Sequence, residues 1–517
     1  SRVSQTAEDR RPSMAPIVAL IDMDCFYVQV HQRMDPSTRN QPAVVVQYNP
    51  WRGGGILSVN YEARNHGVTR AMRGDDARDK CPGIHVFQVP EEREKADLTK
   101  YRDASAEVFD VICNFSDLIT VEKASIDEAF LDLTKLIESY TDFPSFDSVC
   151  ETYLPECNQC SEQSTDTYDC CFAHFYNYVS EQSECPLSVE NRNFIIAAKI
   201  VKDIRDEIFK RTEFRCSAGI SSSKMLSKLC CAMRKPNGQT ILPSFAIAKV
   251  LSTTPVNKVR NLGGKLGEEV RTKLGIQYMG DIKTFTLSQL TAQFGNKTAV
   301  WLMAMANGVD DDEVVTRLIA KSIGCSKQFP AVQKTSLKTK SDVAHWVSKL
   351  VDELVERLNK DRIANQRVAK LVNISMRFAS KDSVTRSLPL RCYDANVINE
   401  DLMRNIVSRI LNNVNGANEN LKEPVVLLSL SSSKFVDSLQ DDRNTKLESF
   451  YKKVEKPINS TNSPCISSNT SCPPVCTSSA PDVEVLTEEC AFPIKFPQKR
   501  GFFYRKTLEL MGMKECT

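Results

Sequence analysis

The sequence has no long apolar run. No window of its 517 residues approaches the roughly 18 consecutive apolar residues that a membrane-spanning helix needs. This absence predicts a soluble chain that does not enter a membrane. Histidine is also scarce: there are five, and none lies beyond His345. The sequence after that residue therefore cannot supply a zinc finger of the Cys₂His₂ kind.

The sequence also lacks a strong net charge, since 67 basic residues face 65 acidic ones and leave a formal charge of +2. Chains dedicated to binding nucleic acid are usually strongly basic, so any contact with a polyanion would have to come from local patches. Residues 256–273 contain five basic and two acidic residues, and residues 360–391 contain eight and two. Because runs of charge are often just solvated surface, both interpretations stay open.

Cysteine, in contrast, is abundant at 19 residues. The cysteines are scattered through a chain with strong core patterns, which favours free thiols in a reducing compartment. Four of them, Cys157, Cys160, Cys170 and Cys171, lie within fifteen residues. Structural zinc sites usually pair ligands two to four residues apart on both sides, and the adjacent pair fits that pattern poorly. Solvated loop cysteines are the expectation, and zinc is the alternative.

Strand and helix signals alternate along the chain and predict an α+β protein. Apolar runs predict buried strands at Ile17–Leu20 and Pro42–Tyr48, and helical periodicity resumes at Asn193. Residues 136–191 are rich in Cys, Ser, Tyr and Asp with weak periodicity, which predicts an inserted or partly ordered segment. After residue 440 the composition shifts to Ser, Thr, Pro and Asn, which predicts a disordered tail because too little apolar surface is available to bury.

In the segment ALIDMDCFYVQV, residues 19–30, a run of apolar residues is followed directly by Asp22 and, two residues later, Asp24. A buried carboxylate is desolvated and unfavourable unless a cation lies beside it. Asp127 and Glu128 occur later between apolar residues, in SIDEA. Oxygen ligands without His or Cys favour Mg²⁺ over zinc. The alternative is that Asp22 caps a strand end and the SIDEA pair lies in a surface hairpin. In an ideal strand this pair would face opposite sides, so it converges only at a turn or bulge.

Five segments together carry a family resemblance: DMDCFYVQV, GGGILSVNYEARNHGVTRAM, SIDEAFLDLT, CSAGISSSKMLSKLCCAMRKPNGQT and NLGGKLG. In this order they resemble a Y-family DNA polymerase of the eta type, from about Val18 to Val436. The resemblance implies a right-hand architecture with a palm, small fingers, a helical thumb, a C-terminal αβ little finger that grips DNA, and a disordered tail. The implied domains are the palm at 15–30 and 90–245 (with the Cys-rich insertion at 136–191), the fingers at 31–89, the thumb at 246–318, the little finger at 319–439 and the tail at 440–517.

The resemblance also implies a metal centre. By position, Asp22, Asp127 and Glu128 are the expected ligands of two Mg²⁺ ions, for which Mn²⁺ can substitute, and the backbone carbonyl of Met23 is a further ligand. Asp24 is then expected to be structural. These carboxylates are the expected catalytic residues of a two-metal nucleotidyl transfer.

Five more positions match residues that contact the incoming nucleotide in this family. Tyr61 and Arg64 are expected on the triphosphate, Arg70 over the base, Lys235 on the triphosphate, and Tyr27 as the steric gate that excludes a 2′-hydroxyl. Tyr61 and Arg64 are three apart, so a helix would place them on one face. From the residues alone, Tyr61 and Arg64 could equally be surface residues of a helix without a binding role, and Tyr27 could be an ordinary core aromatic.

Gln47 matches the eta-type glutamine that contacts the template base. Two positions depart from the eta pattern, since Ala71 and Arg73 stand where Ser and Trp are usual. Both are expected to line the fingers near the template, so the departures concern the spectrum of lesions and not the chemistry.

The implied function is template-directed addition of deoxynucleoside triphosphates to primer–template DNA, opposite and past damaged bases such as UV pyrimidine dimers, without proofreading and in the nucleus. Two other classes stay open. Nucleotidyl cyclases also use palm-type carboxylates but need no template, and a catalytically weak DNA-binding scaffold could keep the fold. The scaffold hypothesis predicts missing metal ligands, whereas all three are present.

The tail is expected to bind partners. NTKLESFY resembles a sliding-clamp motif, in which Leu447, Phe450 and Tyr451 fit the apolar positions and Asn444 replaces the usual glutamine. The alternative is that this apolar cluster packs back on the little finger. Phe502 and Phe503 resemble more weakly the pair that docks on a Y-family scaffold polymerase. Ubiquitin recognition by a Cys₂His₂ finger is excluded because the tail in this sequence has no histidine.

Overall fold

The computed structural model describes residues 15–48, 51–156, 168–181, 186–329, 335–380, 382–390 and 418–437, with a few single residues between 405 and 412. The chain divides into two compact units, Ser1–Ala320 and Lys321–Thr517. No helix in the described part of the chain is long and apolar enough to cross a membrane. The tail motifs expected at residues 444–451 and 502–503 lie outside the described residues.

Strands and helices alternate through the first unit. Its strands are β1 (Val18–Met23), β2 (Ala43–Val46), β3 (Ile56–Val59), β4 (His85–Gln88), β5 (Glu91–Glu92), β6 (Lys95–Ala96), β7 (Thr120–Lys123), β8 (Glu128–Asp132), β9 (Thr152–Tyr153), β10 (Cys216–Ser221) and β11 (Gln239–Ile241). Its helices are α1 (Phe26–Met34), α2 (Tyr61–Asn65), α3 (Gly74–Lys80), α4 (Thr99–Cys113), α5 (Thr134–Glu138), α6 (Tyr168–Glu181), α7 (Pro186–Thr212), α8 (Lys224–Cys231), α9 (Ser244–Thr253), α10 (Lys265–Leu274), α11 (Leu287–Phe294) and α12 (Asn296–Ala306).

A six-stranded sheet, called the central sheet below, has the order β7-β8-β1-β10-β11-β9. Strand β1 lies between two antiparallel partners, β8 and β10, so its apolar residues are buried on both faces. The strand was predicted over Ile17–Leu20 but continues to Met23, because ladder pairing on both sides extends to its last residues. This pairing carries Asp22 into the sheet itself.

A separate three-stranded sheet has the order β3-β2-β4, with β2 antiparallel to β3 and parallel to β4. All four residues of β2 are buried, as its run of valines requires. The small core on one side of this sheet includes Val44, Val46, Ile56 and Val59.

The Cys-rich region is more ordered than its composition suggested. Strand β9 pairs in parallel with β11 at the edge of the central sheet. Helix α6 buries Phe172 and Phe175 in the main core. Cys171 is also buried there, so the expectation of a solvated loop is wrong for this residue. Cys157 and Cys160 lie outside the described residues, and Cys170 lies in α6.

Helices α9 to α12 follow, as the short helices and glycine turns of the sequence predicted. Gly267, in the first turn of α10, is required by close packing, because a Cβ atom there would lie 1.7 Å from the carbonyl oxygen of Leu262. This contact fixes how the loop of NLGGKLG meets its helix.

The second unit is an antiparallel sheet packed against one long helix. Its elements are β12 (Ser322–Gln328), β13 (Leu337–Thr339), α13 (Lys340–Asn365), β14 (Arg367–Phe378), β15 (Ser383–Pro389) and β16 (Asn420–Asp437). The strand order is β12-β16-β14-β15, and β13 also pairs with β16. Helix α13 buries one apolar face against this sheet, which gives the unit a core of its own.

Candidate active site

Two strand ends and one turn bring the predicted carboxylates together. Asp22 of β1 lies directly opposite Glu128 of β8 in the ladder. Asp127 lies in the turn between β7 and β8, where the backbone N–H groups of Ala124 and Ser125 donate to the Glu128 carbonyl oxygen. The N–H of Met23 in turn donates to the Asp127 carbonyl oxygen at 2.9 Å. Glu128 is thus the first residue of β8, directly after the turn. The sequence analysis predicted a turn or bulge here, because Asp127 and Glu128 would face opposite sides of an unbroken strand.

Each carboxylate has a close partner within the protein. The Lys235 ammonium lies 2.6 Å from Asp22 Oδ1, and the Lys228 ammonium donates to both oxygens of Glu128 at 2.7 Å. The Ser125 hydroxyl donates to Asp127 Oδ1 at 2.5 Å. Two lysines therefore supply the positive charge that the carboxylate cluster needs.

The titration of Asp22 reflects this crowding. Burial raises the pKa of Asp22 to about 6; Glu128 and Asp127 add to the shift, and Lys235 opposes it. Burial alone would lower the pKa of Lys235, but its attraction to Asp22 outweighs this and raises that pKa above the usual value. The pair is therefore charged at neutral pH and held tightly.

Asp24 belongs to the scaffold around the site. Its side chain is 3 % exposed. It accepts hydrogen bonds from the Ser217 hydroxyl at 2.9 Å and from the Asn237 backbone N–H at 2.7 Å. Since Asp24 follows β1 while Ser217 lies in β10 and Asn237 precedes β11, the carboxylate ties three segments of the central sheet together.

Nine of the predicted site residues line one cavity of about 790 Å³. The lining includes two of the predicted carboxylates together with three cationic side chains and three aromatic rings, and most of the rest is apolar. Glu128 is not part of the lining; both of its carboxylate oxygens accept hydrogen bonds from Lys228. The nine residues are Asp22, Met23, Tyr27, Gln47, Tyr61, Arg64, Arg70, Asp127 and Lys235.

Helix α2 positions Tyr61 and Arg64 on the cavity wall. Asn60 caps the helix by accepting from the Ala63 N–H, and the same oxygen accepts from the Ala43 N–H of β2. The Arg64 guanidinium lies 4.6 Å from the centre of the Tyr61 ring. The pair therefore shares one face, as the spacing predicted.

Tyr27 presents its ring to the cavity from α1, directly after the acidic strand end. Burial raises the pKa of its hydroxyl, and the charge of Asp127 raises it further. The ring stacks on Tyr101 of α4, with centroids 3.9 Å apart and planes 13° apart. Tyr27 is therefore a fixed aromatic wall between the carboxylates and the main core.

The departures from the eta pattern lie beside the cavity and not in its lining. Ala71 is exposed. The Arg73 guanidinium stacks on the half-exposed Trp51 ring at 3.8 Å from its centre. The backbone of Arg73 forms an isolated antiparallel β-bridge with Gly55. The Gly55 carbonyl oxygen accepts a hydrogen bond from the Gln47 N–H. The Arg73–Trp51 pair is thus next to the predicted template-contacting residue.

The donor set fits a hard divalent cation. Three carboxylates at adjacent strand ends offer oxygen ligands alone, which Mg²⁺ prefers, and their mutual repulsion favours a cation among them. Among the side chains that the structure describes, no group of three or more His, Cys, Asp and Glu residues is arranged to hold a metal ion as it stands. Two of the three carboxylates are instead paired with lysines, Glu128 with Lys228 and Asp22 with Lys235.

Sequence reasoning missed two residues. Lys228 has no motif of its own, although its position seven residues before Lys235 hinted at a second cation on the same approach. Tyr101 gave no local signal, because its contact with Tyr27 joins residues 74 positions apart and depends on how two helices pack.

Taken together, these features are those of a right-hand polymerase fold with a C-terminal αβ unit. Three family models match consecutive parts of the chain: the impB/mucB/samB family at residues 21–232, the DNApol eta/Rev1 HhH motif at 254–309, and the impB/mucB/samB family C-terminal domain at 320–447. The two models of the same family together match more than half of the chain. The chain therefore belongs to the impB/mucB/samB family, the Y family of DNA polymerases.

Curated relatives point to one branch of this family. DNA polymerase eta of Drosophila melanogaster is 37 % identical over 470 residues, which is 85 % of this chain and 51 % of the relative. DNA polymerase eta of Arabidopsis thaliana is 39 % identical over 444 residues, 82 % of this chain and 64 % of the relative. DNA polymerase IV of Clostridioides difficile is 26 % identical over 374 residues, with 72 % and 82 % covered. The chain thus spans about half to two thirds of the two eta relatives.

Proposed function

We propose that this protein is a template-directed DNA polymerase that adds deoxynucleotides opposite and past damaged bases. The resemblance to eta-type polymerases implies UV pyrimidine dimers as the class of lesion. The observation that carries the proposal is the shared cavity. Nine side chains expected to serve a single reaction line one space, although they come from positions 22 to 235 of the chain. Residues with unrelated surface roles would not be expected to line the same cavity.

The carboxylates would hold the metal. We assign two Mg²⁺ ions to Asp22, Asp127 and Glu128, with the Met23 carbonyl as a further oxygen ligand. Ions held by these carboxylates would supply Lewis-acid activation of the primer 3′-hydroxyl and neutralise charge on the reacting phosphate. In their absence Lys228 and Lys235 perform the neutralisation.

The cationic wall would bind the triphosphate. Lys235 and Arg64 supply positive charge, and the Tyr61 hydroxyl lies beside them. An arginine fork can donate two parallel hydrogen bonds to a phosphate, and a lysine adds a mobile point charge. Once Asp22 has another counter-ion, the Lys235 ammonium is available to the phosphates.

The rest of the lining would select the nucleotide. Tyr27 presents a fixed ring where the resemblance expects the sugar, so its bulk would exclude a 2′-hydroxyl. Arg70 would lie over the incoming base and Gln47 beside the template base.

The thumb and the second unit would hold the primer–template duplex. The loop of NLGGKLG ends at the N-terminus of α10, where backbone N–H groups point outward and suit a phosphate. Both basic patches of the sequence fall in these regions, at 256–273 and 360–391. Phosphate contacts of this kind position a duplex without reading its sequence.

One observation favours a second candidate, a catalytically weak DNA-binding scaffold of the same fold. Lysines already neutralise Asp22 and Glu128, and a permanent lysine counter-ion would keep metal out. The two candidates differ in whether divalent metal displaces those lysines.

Primer extension with Mg²⁺ on undamaged and pyrimidine-dimer templates tests the proposal. We expect addition on both templates and none without a template strand. Retention of the primer–template without extension would favour the scaffold, and product formed without template would favour a nucleotidyl cyclase. Extension that stops at every dimer would keep the polymerase but reject dimer bypass.

The tail would bind partner proteins. The protein would act in the nucleus, at replicating DNA. We propose that Leu447, Phe450 and Tyr451 bind a sliding clamp, since three apolar side chains at this spacing would fill one hydrophobic pocket if the segment formed a helical turn on binding. Each burial contributes roughly 1.5–3 kcal/mol before ordering costs. Phe502 and Phe503 are a weaker candidate for docking on a Y-family scaffold polymerase.

A peptide spanning residues 440–456 tests the clamp site. We expect micromolar binding to the clamp and its loss in a Phe450→Ala, Tyr451→Ala peptide. Equal binding by both peptides, or by neither, would reject the assignment.

A further inference from the structure

We propose that Arg205 positions Lys235 and thereby sets how tightly the incoming nucleotide is bound. The inference rests on the proposed function, in which the Lys235 ammonium binds the triphosphate. Lys235 belongs to the cavity lining, whereas Arg205 does not. Arg205 is therefore a positioning residue, which acts through the backbone that carries Lys235 and not on the nucleotide itself.

Lys235 lies in the connection between α8 and β11, residues 232–238, called the lysine turn below. The lysine turn belongs to neither a helix nor a strand, so other contacts must hold its backbone. Asn237, two residues after Lys235, has a φ of 54°, in the left-handed region. A residue other than glycine stays in that region only where its surroundings fix it. The position of Lys235 thus depends on what holds Asn237.

Arg205 holds Asn237 from one side. From α7, its Nη2 donates to the Asn237 carbonyl oxygen at 2.8 Å and to Asn237 Oδ1 at 3.1 Å. Its Nε donates to the Cys216 carbonyl oxygen at 3.1 Å, and its Nη1 donates to Gln239 Oε1 at 3.1 Å. The planar guanidinium can make these four bonds at once because it carries five N–H groups. An arginine that is only 8 % exposed thus ties the lysine turn to the first residues of β10 and β11.

Gln239, which accepts from Arg205, is itself fixed. Its side chain is buried, and its Nε2 donates to Thr152 Oγ1 at 2.8 Å and to the Ala198 carbonyl oxygen at 2.9 Å. An amide bonded through both of its polar atoms cannot easily follow the arginine if the lysine turn moves. The lysine turn is therefore held to the central sheet through a rigid contact.

Asp24 holds Asn237 from the side of the carboxylates, since its Oδ2 accepts from the Asn237 backbone N–H at 2.7 Å. The backbone N–H, the backbone carbonyl and the side-chain oxygen of Asn237 thus each have a buried partner. With the turn fixed on both sides, Lys235 exchanges Asp22 for a phosphate by moving its side chain alone. Without Arg205 the backbone can shift, and a shift of about 1 Å is enough to misplace a binding group.

The test measures nucleotide affinity apart from chemistry. A dideoxy-ended primer forms a complex with template and protein that binds the next deoxynucleotide with Mg²⁺ but cannot extend, so titration gives its Kd. We expect Arg205→Lys, which keeps the charge but not the fork, to raise this Kd about tenfold. Asn237→Gly, which tolerates the positive φ but removes Oδ1, should raise it about threefold. In primer extension the rise should appear in KM, with kcat little changed.

A matched control and a double-variant cycle separate positioning from general stability. Arg211 is also an arginine of α7, but it bonds to Asp110 on α4, so Arg211→Met should leave the Kd unchanged. Because Arg205 acts through Lys235, adding Arg205→Lys to Lys235→Ala should change the Kd hardly at all. Additive effects would show that Arg205 acts by another route and would overturn the inference. A merely structural role would lower the free energy of unfolding and leave the Kd of the folded protein unchanged.

Lys235→Ala separates this inference from the proposed function. If the wild type adds no deoxynucleotide, the proposed function fails and the inference falls with it. If the wild type adds deoxynucleotides and Lys235→Ala raises the Kd, but Arg205→Lys and Asn237→Gly do not, only the inference is overturned. Should Arg205→Lys fail to fold, Asn237→Gly decides by itself. An unchanged Kd in Lys235→Ala would also overturn the inference, because the lysine turn would then present no group to the triphosphate.

Discussion

Asp127 and Glu128 are neighbours in the chain but have different surroundings in the fold. Asp127 lies in a turn, lines the cavity and accepts from Ser125. Glu128 lies in a strand opposite Asp22 and binds Lys228. A turn between them is what allows two adjacent side chains to reach one region, whereas an unbroken strand would separate them.

At the scale of single residues, Asp127→Asn should abolish nucleotide addition and leave DNA binding nearly intact. Neutralising one of several repelling carboxylates does not cost stability, but it removes a metal ligand whose contribution is several kcal/mol, so the rate should fall at least about a thousandfold. Single-turnover extension and duplex binding measure the two effects. Asp103→Asn, an exposed change on α4, is the control, and a normal rate in Asp127→Asn would reject the assignment.

His31 gives a second prediction at this scale, concerning acid stability. Burial lowers the pKa of His31 to about 4, and the charge of Lys100 lowers it further, while Tyr101 and Phe87 pack against its ring. An unfolded histidine has a pKa of about 6.5, so between these values the unfolded chain binds more protons at this residue than the folded chain. The contribution of His31 to stability should therefore fall as pH decreases from about 6.5 to 4.

Urea unfolding between pH 7.5 and 4 checks this difference. Relative to the wild type, His31→Leu should lose less of its free energy of unfolding across that window, whatever other groups contribute to both proteins. The exposed His66→Leu should follow the wild-type slope. Parallel curves for His31→Leu and wild type would show that the ring is protonated freely in the folded state.

At the scale of elements, the segment after α12 is attached to the edge of the central sheet. The backbone of Arg317 forms an isolated parallel β-bridge with Glu122 of β7. The Lys123 N–H donates to the Arg317 carbonyl oxygen at 2.9 Å. The Glu122 carboxylate accepts from Lys224 of α8 at 2.5 Å and from Arg317 at 2.8 Å. A buried acidic residue thus joins a strand, a helix and the segment that ends the first unit.

Lys224→Met should therefore lower the free energy of unfolding of the first unit by about 3 kcal/mol, because the substitution leaves a buried carboxylate without its nearest cation. Chemical denaturation measures this loss. Replacing both partners, as Lys224→Met with Glu122→Leu, should recover part of it, since neither buried charge of the pair then remains and the Arg317 side chain is partly exposed to water. Lys249→Met, an exposed change on α9, is the control. A loss below about 1 kcal/mol would mean that Arg317 and the Val315 N–H together satisfy Glu122 without Lys224.

At the scale of the whole molecule, two units have separate hydrophobic cores. The first is built around the central sheet and the second around α13 and its sheet. Units with independent cores usually unfold as separate cooperative transitions. Each core should therefore unfold in its own transition in calorimetry.

Calorimetry of the full chain should show two transitions, and a fragment of residues 1–320 should keep one of them at nearly its original temperature. The reason is that the residues of each of these two cores all lie within one unit. The matching fragment, residues 321–517, should reproduce the other transition. A single transition in the full chain, with both fragments unfolded, would show that the cores depend on each other.

The sequence by itself determined the family and the α+β class, and it predicted the residues of the candidate site. The five segments that carry the resemblance are short and local. A strand end, a helical spacing or a glycine turn can therefore be recognised from neighbouring residues. The requirement for a turn at Asp127 followed from strand alternation alone and is met by the structure. The metal-ligand and nucleotide-contact roles stay predictions, although the structure brings nine of those residues to one cavity.

Only the tertiary structure decided the partners of these residues. Lys228 with Glu128, Tyr101 with Tyr27 and Glu122 with Arg317 join positions between 74 and 195 residues apart, so no local pattern could reveal them. The order in the Cys-rich region was missed for a related reason. Its apolar side chains are too few to suggest a core alone, but β9 and α6 are stabilised by the central sheet and main core, which already exist around them.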